Sequence, residues 1–277
     1  MKLPNIKRAI ILIVILALIE CGLVGFIGVW RDWFWSAVND RNLHLFIRYL
    51  MEFSVAALLA CFVSGYGDYL VNCSSLMMRT KLTKKALKLK DAHNTEGFGQ
   101  RVQEDCLTYP TGLIFLLRNG LRNVLTLIIF TVIIWKQLGP MYLLFPLAYA
   151  LIGTLISAWI AKPLIALNYM NQVFEAKFRQ TLDRLAYITT HKNNHQLFKY
   201  TKFLAYFQSF YAQVTVIVPL IMLSGLYFYG KITFGVLMQC ASSMGALIDS
   251  LSYFITSFND INRFLSCRKR LKELGII

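Results

Sequence analysis

Six stretches of the chain are apolar over a length that can cross a membrane. A helix needs roughly 20 residues to span about 30 Å of hydrocarbon, and each of these stretches reaches that length. They lie near residues 9–30, 45–71, 113–135, 141–161, 209–229 and 234–258. Arg118, Asn119 and Arg122 interrupt the third stretch, so we expect its membrane-embedded part to begin near Val124. The pattern predicts an all-α membrane protein with one transmembrane domain over residues 1–277.

The connections between the stretches alternate between short and long. Residues 31–44, 136–140 and 230–233 form short connections on one side, whereas residues 72–112 and 162–208 form long ones on the other. The long connections contain apolar residues at helical spacing, as in "KLTKKALKLK" and "NQVFEAKFRQTLDRLAYI", and neither of these segments contains Pro or Gly. We therefore expect the membrane helices to continue as long cytoplasmic helical extensions.

Composition and charge favour the bilayer over a soluble or nucleic-acid-binding fold. The chain is 57% hydrophobic and 16% charged, whereas soluble domains are about 25% charged. Its net charge is +15, and 24 of its 29 Lys and Arg residues lie on the side of the long connections and the termini. Basic loops stay in the cytoplasm. We therefore expect a multi-pass membrane protein with both termini cytoplasmic and no nucleic-acid partner.

One short segment imitates a phosphate-binding loop. "GLYFYGKIT" (225–233) fits G-x-x-x-x-G-K, but Ile232 stands where a Ser or Thr would hold magnesium. The segment also falls at the end of the fifth apolar stretch, on the side away from cytoplasmic ATP. We interpret the match as a coincidence, and we expect no catalytic residue, cofactor or metal site, so an enzyme is not predicted.

Several motifs resemble one group of transporters. "WFWSAVNDRN" (33–42), which begins at Trp33, "HNTEGFGQRVQED" (93–105) and "EAKFRQTLDRL" (175–185) are similar to segments of the YddA-like and peroxisomal ABC transporters and of the SbmA/BacA peptide transporters. "GVLMQCASSMGALIDSLSYF" (235–254) is similar to the last membrane helix of these families. The matching motif residues are Trp33, Asn94, Gln100, Arg101, Asp105, Glu175, Phe178 and Arg179.

The resemblance implies a fold and three alternative functions. The fold is the membrane domain of type IV ABC exporters, without the ATPase domain that YddA-like proteins carry, and the expected location is a bacterial inner membrane. The first function is proton-coupled uptake of bulky solutes, such as peptides or cobalamin-like compounds, by a homodimer. The second is that of an ABC transporter subunit using a separately encoded ATPase, which would dock near residues 95–101 and 191–194. The third is that of a membrane adaptor, because "AYITTHKNNHQ" (186–196) departs from the family pattern.

Polar residues recur on the sixth apolar stretch at steps of three and four, which places them on one face of a helix. Such a face points towards water or protein, because lipid would leave its groups unpaired. It therefore lines a solute cavity or, alternatively, forms a helix interface. The predicted cavity-lining residues are Gln239, Ser242, Ser243, Ser250, Tyr253, Thr256 and Asp260, together with the acid Asp249.

Four acids within the apolar stretches are predicted to couple transport to protons. They are Asp249, Glu20, Asp68 and Glu52. An ionised acid near mid-bilayer is costly unless it is solvated or paired, and a group that changes charge there suits a proton carrier. Asp249 is the first choice, and Glu20 is the second because its own helix has no charged neighbour. Glu52 lies one turn from Arg48, so an ordinary ion pair is the alternative there.

Overall fold

The computed structural model describes residues 6–89, 98–181 and 184–277. In these ranges the chain forms seven α-helices and one short 3₁₀ turn, and six helices contain a segment long and apolar enough to cross a membrane. The helices are α1 (Ile6–Asn39), α2 (Leu43–Lys88), α3 (Phe98–Leu138), α4 (Leu144–Thr181), α5 (Arg184–Phe228), α6 (Phe234–Thr256) and α7 (Phe258–Glu273). The all-α membrane fold predicted from the apolar pattern is confirmed.

The long inner connections are helical where they are described. The 46 residues of α2 correspond to about 69 Å at 1.5 Å per residue, roughly twice the hydrocarbon thickness. The helices α4 and α5 likewise continue far beyond their apolar segments, to Thr181 and from Arg184. The prediction of long helical extensions is therefore confirmed for these segments.

The first outer connection is much shorter than predicted. We expected residues 31–44 to be a connection, but α1 continues to Asn39 and α2 begins at Leu43. The side chain of Asn42 caps α2 by accepting a hydrogen bond from the amide of Leu45, at 3.2 Å. The charges at Arg31 and Asp32 suggested a loop, yet both residues belong to α1. Within helix α1 the carboxylate of Asp32 accepts a hydrogen bond from the hydroxyl of Ser36.

The segment that imitates a phosphate loop is a helix end. Gly230 has φ +69°, and its amide donates to the carbonyl of Tyr227 while the amide of Lys231 donates to that of Leu226. This pair of hydrogen bonds is a Schellman motif, in which glycine is favoured because the backbone is left-handed. The Gly–Lys pair therefore closes α5 and turns the chain into α6.

The helix α6 lies at the centre of the described fold, packed on α1, α3, α4 and α5. Its buried face joins α3 and α5 in one apolar cluster that includes Ile134, Leu223 and Met244. A Cβ atom on Gly235 would collide with the backbone carbonyl of Asp32, so α6 begins in direct contact with α1. Large apolar side chains point outward around the helices, among them Phe62, Trp159 and Phe228, as expected of surfaces that face lipid.

Candidate functional site

A cavity of about 790 Å³ opens between α1, α3, α5 and α6. This volume is within the range of small-molecule sites, roughly 300–1,000 Å³. Apolar side chains form much of its wall, and the polar groups come from all four helices. The charged and polar lining residues are Arg31, Asn119, Arg122, Asn123, Thr126, Thr215, Ser242, Asp249, Ser250 and Tyr253.

The polar face of α6 is divided between the cavity and a helix interface. Ser242, Asp249, Ser250 and Tyr253 line the cavity. Gln239 does not line it, because this side chain is buried and donates to the carbonyl of Gly28 in α1 at 3.1 Å. It also accepts from the side chain of Gln137 in α3 at 2.9 Å. Part of the polar face of α6 therefore lines the cavity, and another part forms an interface with neighbouring helices.

Three further predicted lining residues lie elsewhere. Ser243 is buried, and its hydroxyl donates to the backbone carbonyl of Gln239 at 2.7 Å. Asp260 is an exposed residue in the first turn of α7. Thr256 is the last residue of α6, and its side chain lies outside the described part of the structure.

Asp249 reaches the cavity with an exposed side chain. Among the described residues, no hydrogen bond or ion pair joins it to a neighbour. Polar residues of α3, among them Asn119, Arg122 and Asn123, line the same cavity. Asp249 is therefore the acid whose charge faces the cavity, and a bound solute or water could reach it.

Glu20 and Asp68 instead take part in an ion cluster built around Arg118 of α3. The guanidinium of Arg118 contacts the carboxylate of Asp68 in α2 and lies 3.4 Å from that of Glu20 in α1. Arg122 approaches the other oxygen of Glu20 at 3.1 Å. Gly67 makes room for the cluster, since a Cβ atom there would lie 2.8 Å from the guanidinium of Arg118.

This cluster adds tertiary contacts that the sequence analysis did not anticipate. Glu20 has no charged neighbour along the apolar stretch of its own helix, as expected, but α3 brings two arginines to it. Arg118, which we expected to precede the embedded part of its helix, is buried between α1 and α2. Charged groups inside a membrane pair with one another because an isolated charge is costly there.

Glu52 forms the ordinary ion pair that its spacing allows. Its carboxylate accepts a hydrogen bond from the Nε of Arg48 at 2.9 Å, one turn away on the surface of α2. Exposed pairs of this kind contribute little to stability. Glu52 does not line the cavity.

The residues of the family motifs have different structural environments. Trp33 lies among aromatic rings, 6.5 Å from Phe26 and 6.2 Å from Tyr49 between centroids. Asp105 is 2% exposed and receives three hydrogen bonds from Arg270 of α7, at 2.5–3.2 Å. Asn94 lies outside the described residues, as do the side chains of Gln100, Arg101, Glu175, Phe178 and Arg179.

The sequence interpretation missed the polar wall contributed by α3 and α1. Asn119 and Arg122 were treated as interruptions of an apolar stretch, Asn123 and Thr126 were given no role, and Arg31 was placed in a connection. The steps of three and four residues from 119 to 126 carried the signal, because they define one helix face. Facing polar stripes on two membrane helices would have predicted a cavity between α3 and α6.

Comparison with known proteins gives one family and several relatives. A model of the SbmA/BacA-like family matches residues 11–276. ABC transporter D family member 2 from the chloroplast of Arabidopsis thaliana is 26% identical over 90% of this chain and 40% of its own length. The inner membrane ABC transporter ATP-binding protein YddA of Escherichia coli is 23% identical over 97% of this chain and 57% of its own length. An uncharacterized ABC transporter ATP-binding protein of Haemophilus influenzae is 22% identical, over 98% and 54%. The chain thus spans about half the length of these relatives.

Proposed function

This chain belongs to the SbmA/BacA-like family of membrane transporters, and we propose that it imports bulky solutes, such as peptides or cobalamin-like compounds, by proton coupling. The observation that carries the proposal is the polar cavity between α1, α3, α5 and α6, with the carboxylate of Asp249 facing into it. A polar, water-accessible path is what a hydrophilic solute needs in a membrane. No chemical step on the solute is part of this proposal.

Two copies would form the working transporter. A cavity of about 790 Å³ in one chain is the size of a small-molecule site and is small for cargo larger than a short peptide. In the described part of the chain, α4 and α5 pack on each other and on α6, without extensive contact with α2. This hairpin therefore offers a surface on which a second copy would enlarge the cavity.

Asp249 is the proposed proton carrier. It can exchange protons with cavity water because it is exposed there, whereas Glu20 and Asp68 are engaged with Arg118. We keep Glu20 and Asp68 as secondary candidates, since the Arg118 pairs could rearrange as the cavity opens to the other side. Glu52 is the weakest of the four candidate proton carriers, because it forms an exposed ion pair with Arg48.

The orientation would place both termini in the cytoplasm of a bacterium. The exposed lysines of the inner half of α2 (Lys81, Lys84, Lys85 and Lys88) and the basic residues of α7 support this arrangement. Ala86 of α2 packs against Leu271 of α7, so the two basic segments share one end of the fold. Basic segments of this kind remain on the cytoplasmic side.

The second candidate function is the membrane subunit of an ABC transporter with a separate ATPase. The names of its relatives favour this alternative, because they are ABC transporters and ATP-binding proteins. The proposed docking segment near residues 95–101 lies largely outside the described residues, and the side chains of residues 191–194 lie outside them as well. A membrane adaptor without transport activity is the third candidate.

Uptake by the purified protein in liposomes tests the proposal. Under an inward proton gradient and without nucleotide, we expect accumulation of short peptides, and collapse of the gradient with an uncoupler should stop it. Uptake that appears only after a cognate ATPase and ATP are added would support the second function. If neither condition produced uptake, the membrane adaptor without transport activity would be the remaining candidate function.

A further inference from the structure

Arg31 lies inside the cavity although nothing in the described protein neutralises it. This residue is on α1, is half-buried, and lines the same cavity as Asp249. No hydrogen bond or ion pair joins it to another described residue. A half-buried cation that no neighbouring group neutralises loses part of its hydration without gaining a partner, so Arg31 is available to pair with an anion that is not part of the chain.

The neighbouring acid does not serve as that partner. Asp32 follows Arg31 directly, but its carboxylate accepts a hydrogen bond from Ser36 at 3.3 Å. Its backbone and side chain also pack against the first turn of α6, where Gly235 leaves room for them. The carboxylate of Asp32 is therefore held on the α6 side, while Arg31 lines the cavity.

The other charges of the cavity do not cancel Arg31 either. Arg122 is already paired with Glu20, at 3.1 Å. Asp249 lies 14 residues along α6 from Gly235, which is about 21 Å at 1.5 Å per residue. Since Gly235 contacts Asp32, the cation and the free carboxylate lie near opposite ends of the cavity. They present separate sites for two opposite charges.

We propose that Arg31 binds a carboxylate of the transported solute at the outer end of the cavity. A guanidinium forms paired hydrogen bonds with a carboxylate in one plane, and such charge-assisted bonds are stronger than neutral ones. The proposal rests on the proposed import function and adds a chemical class of cargo to it. A solute that also carries a cationic group would direct that group towards Asp249.

The separation of the two charges suggests a suitable probe. An extended peptide covers about 3.3–3.6 Å per residue, so a chain of about six residues would reach from Arg31 to Asp249. The probe is therefore a mixed-sequence library of hexapeptides, prepared in two forms. One form has a free terminal carboxylate, and the other has a terminal amide of nearly the same size.

Binding to the purified protein in detergent tests the proposal without requiring transport. Mass spectrometry of the bound fraction should show that the carboxylate form binds at least about tenfold more tightly than the amide. Arg31→Gln should remove this preference, and Arg31→Lys should restore part of it. Lys231→Gln removes the same charge from the exposed turn before α6, outside the cavity lining, and should leave the preference unchanged.

The outcomes separate this proposal from the import function. Equal binding of the two forms, no binding of either, or an unchanged preference in Arg31→Gln would overturn the role of Arg31. A carboxylate preference that depends on Arg31, followed by no uptake into liposomes, would support the site and count against import.

Discussion

Arg118 shows most clearly how single residues define the interior of this protein. Its guanidinium lies between carboxylates from two other helices, and its side chain is 8% exposed. Glu20 is equally buried, whereas the side chain of Asp68 is 68% exposed. Solvent weakens an exposed pair. We therefore expect the loss of the contact with Glu20 to lower the stability of the protein more than the loss of the contact with Asp68, even though the contact with Asp68 is the closer one.

Replacing Arg118 should therefore destabilise the protein strongly. Arg118→Gln leaves Glu20 buried with only the partly exposed Arg122, and breaking a buried pair on one side costs about 3–5 kcal/mol. Chemical denaturation in detergent measures this change. Arg48→Gln is the matched control because its pair with Glu52 is exposed, and it should cost less than about 1 kcal/mol. Equal losses of stability in the two variants would show that the buried cluster around Arg118 stabilises the protein no more than an exposed ion pair does.

Side-chain pairs within one helix could be predicted from the sequence, whereas pairs between helices could not. Glu20 and Arg118 are 98 positions apart, so no local spacing connects them, and the pair exists only because α1 and α3 pack together. The exposed Arg48–Glu52 pair could be predicted because both residues share one helix. Asp249 and its polar neighbours on α6 were predictable for the same reason, but Arg31 and Arg122 were not assigned to the cavity.

At the scale of helices, an ion pair between the buried Asp105 and the partly exposed Arg270 joins the last element α7 to α3, beside an apolar cluster that includes Leu271 and Val102. Arg270 donates to both oxygens of Asp105, and this hydrogen bonding, together with the charge of Asp105, raises the pKa of Arg270 above its ordinary value. A raised arginine pKa keeps the guanidinium charged as the pH rises, so we expect no loss of this contact up to about pH 9. Beside the pair, Cys267 is buried in the helix interface.

Removal of this pair should expose the interface of α7. Burial, followed by the hydrogen bond and charge of Asp105, raises the pKa of the Cys267 thiol, so the reactive thiolate is scarce at neutral pH. In a variant retaining only Cys267, Arg270→Gln should raise the rate of maleimide labelling severalfold. Arg263→Gln breaks only an exposed 3.9 Å pair with Glu104 and should not. Equal labelling rates would contradict a role for Arg270 in holding α7.

The close contact between α1 and α6 at Gly235 should make the protein sensitive to a larger residue at this position. Gly235→Ala would place a methyl group against the backbone of Asp32, and overpacking of this kind typically costs about 1–3 kcal/mol. A Cβ atom on Gly120 would meet nothing within 4 Å, so Gly120→Ala should instead stabilise α3 by about 0.5–1 kcal/mol. Thermal unfolding in detergent compares the stabilities of the two variants with that of the wild type. A gain in stability for Gly235→Ala would show that the helices can separate there.

Helix number and helical extensions were predictable from the apolar pattern, whereas one boundary was not. Residues 31–39 carry charged and polar groups, which suggested a loop. They remain helical because Asp32 and Ser36 bond to each other and because Trp30 packs on Phe34 and donates to the carbonyl of Tyr49 in α2. These contacts depend on the neighbouring helix, so the sequence of α1 alone could not give the boundary.

At the scale of the whole molecule, a dimer is the expected working form. The cavity of one chain is small for bulky cargo, and the α4–α5 hairpin has a free side in the described fold. Native mass spectrometry in mild detergent should therefore show two copies. A monomer that retains uptake in liposomes would contradict this arrangement.

Proton movement coupled to solute entry tests the central claim most directly. Liposomes containing the purified protein and a pH-sensitive dye, without nucleotide, should acidify inside when the hexapeptide library is added to the more acidic outside. Asp249→Asn retains the size of the side chain but cannot carry a proton, so it should abolish the peptide-dependent acidification while leaving the unfolding transition unchanged. Acidification that persists in Asp249→Asn, or peptide entry without any proton movement in the wild type, would contradict proton coupling through this residue.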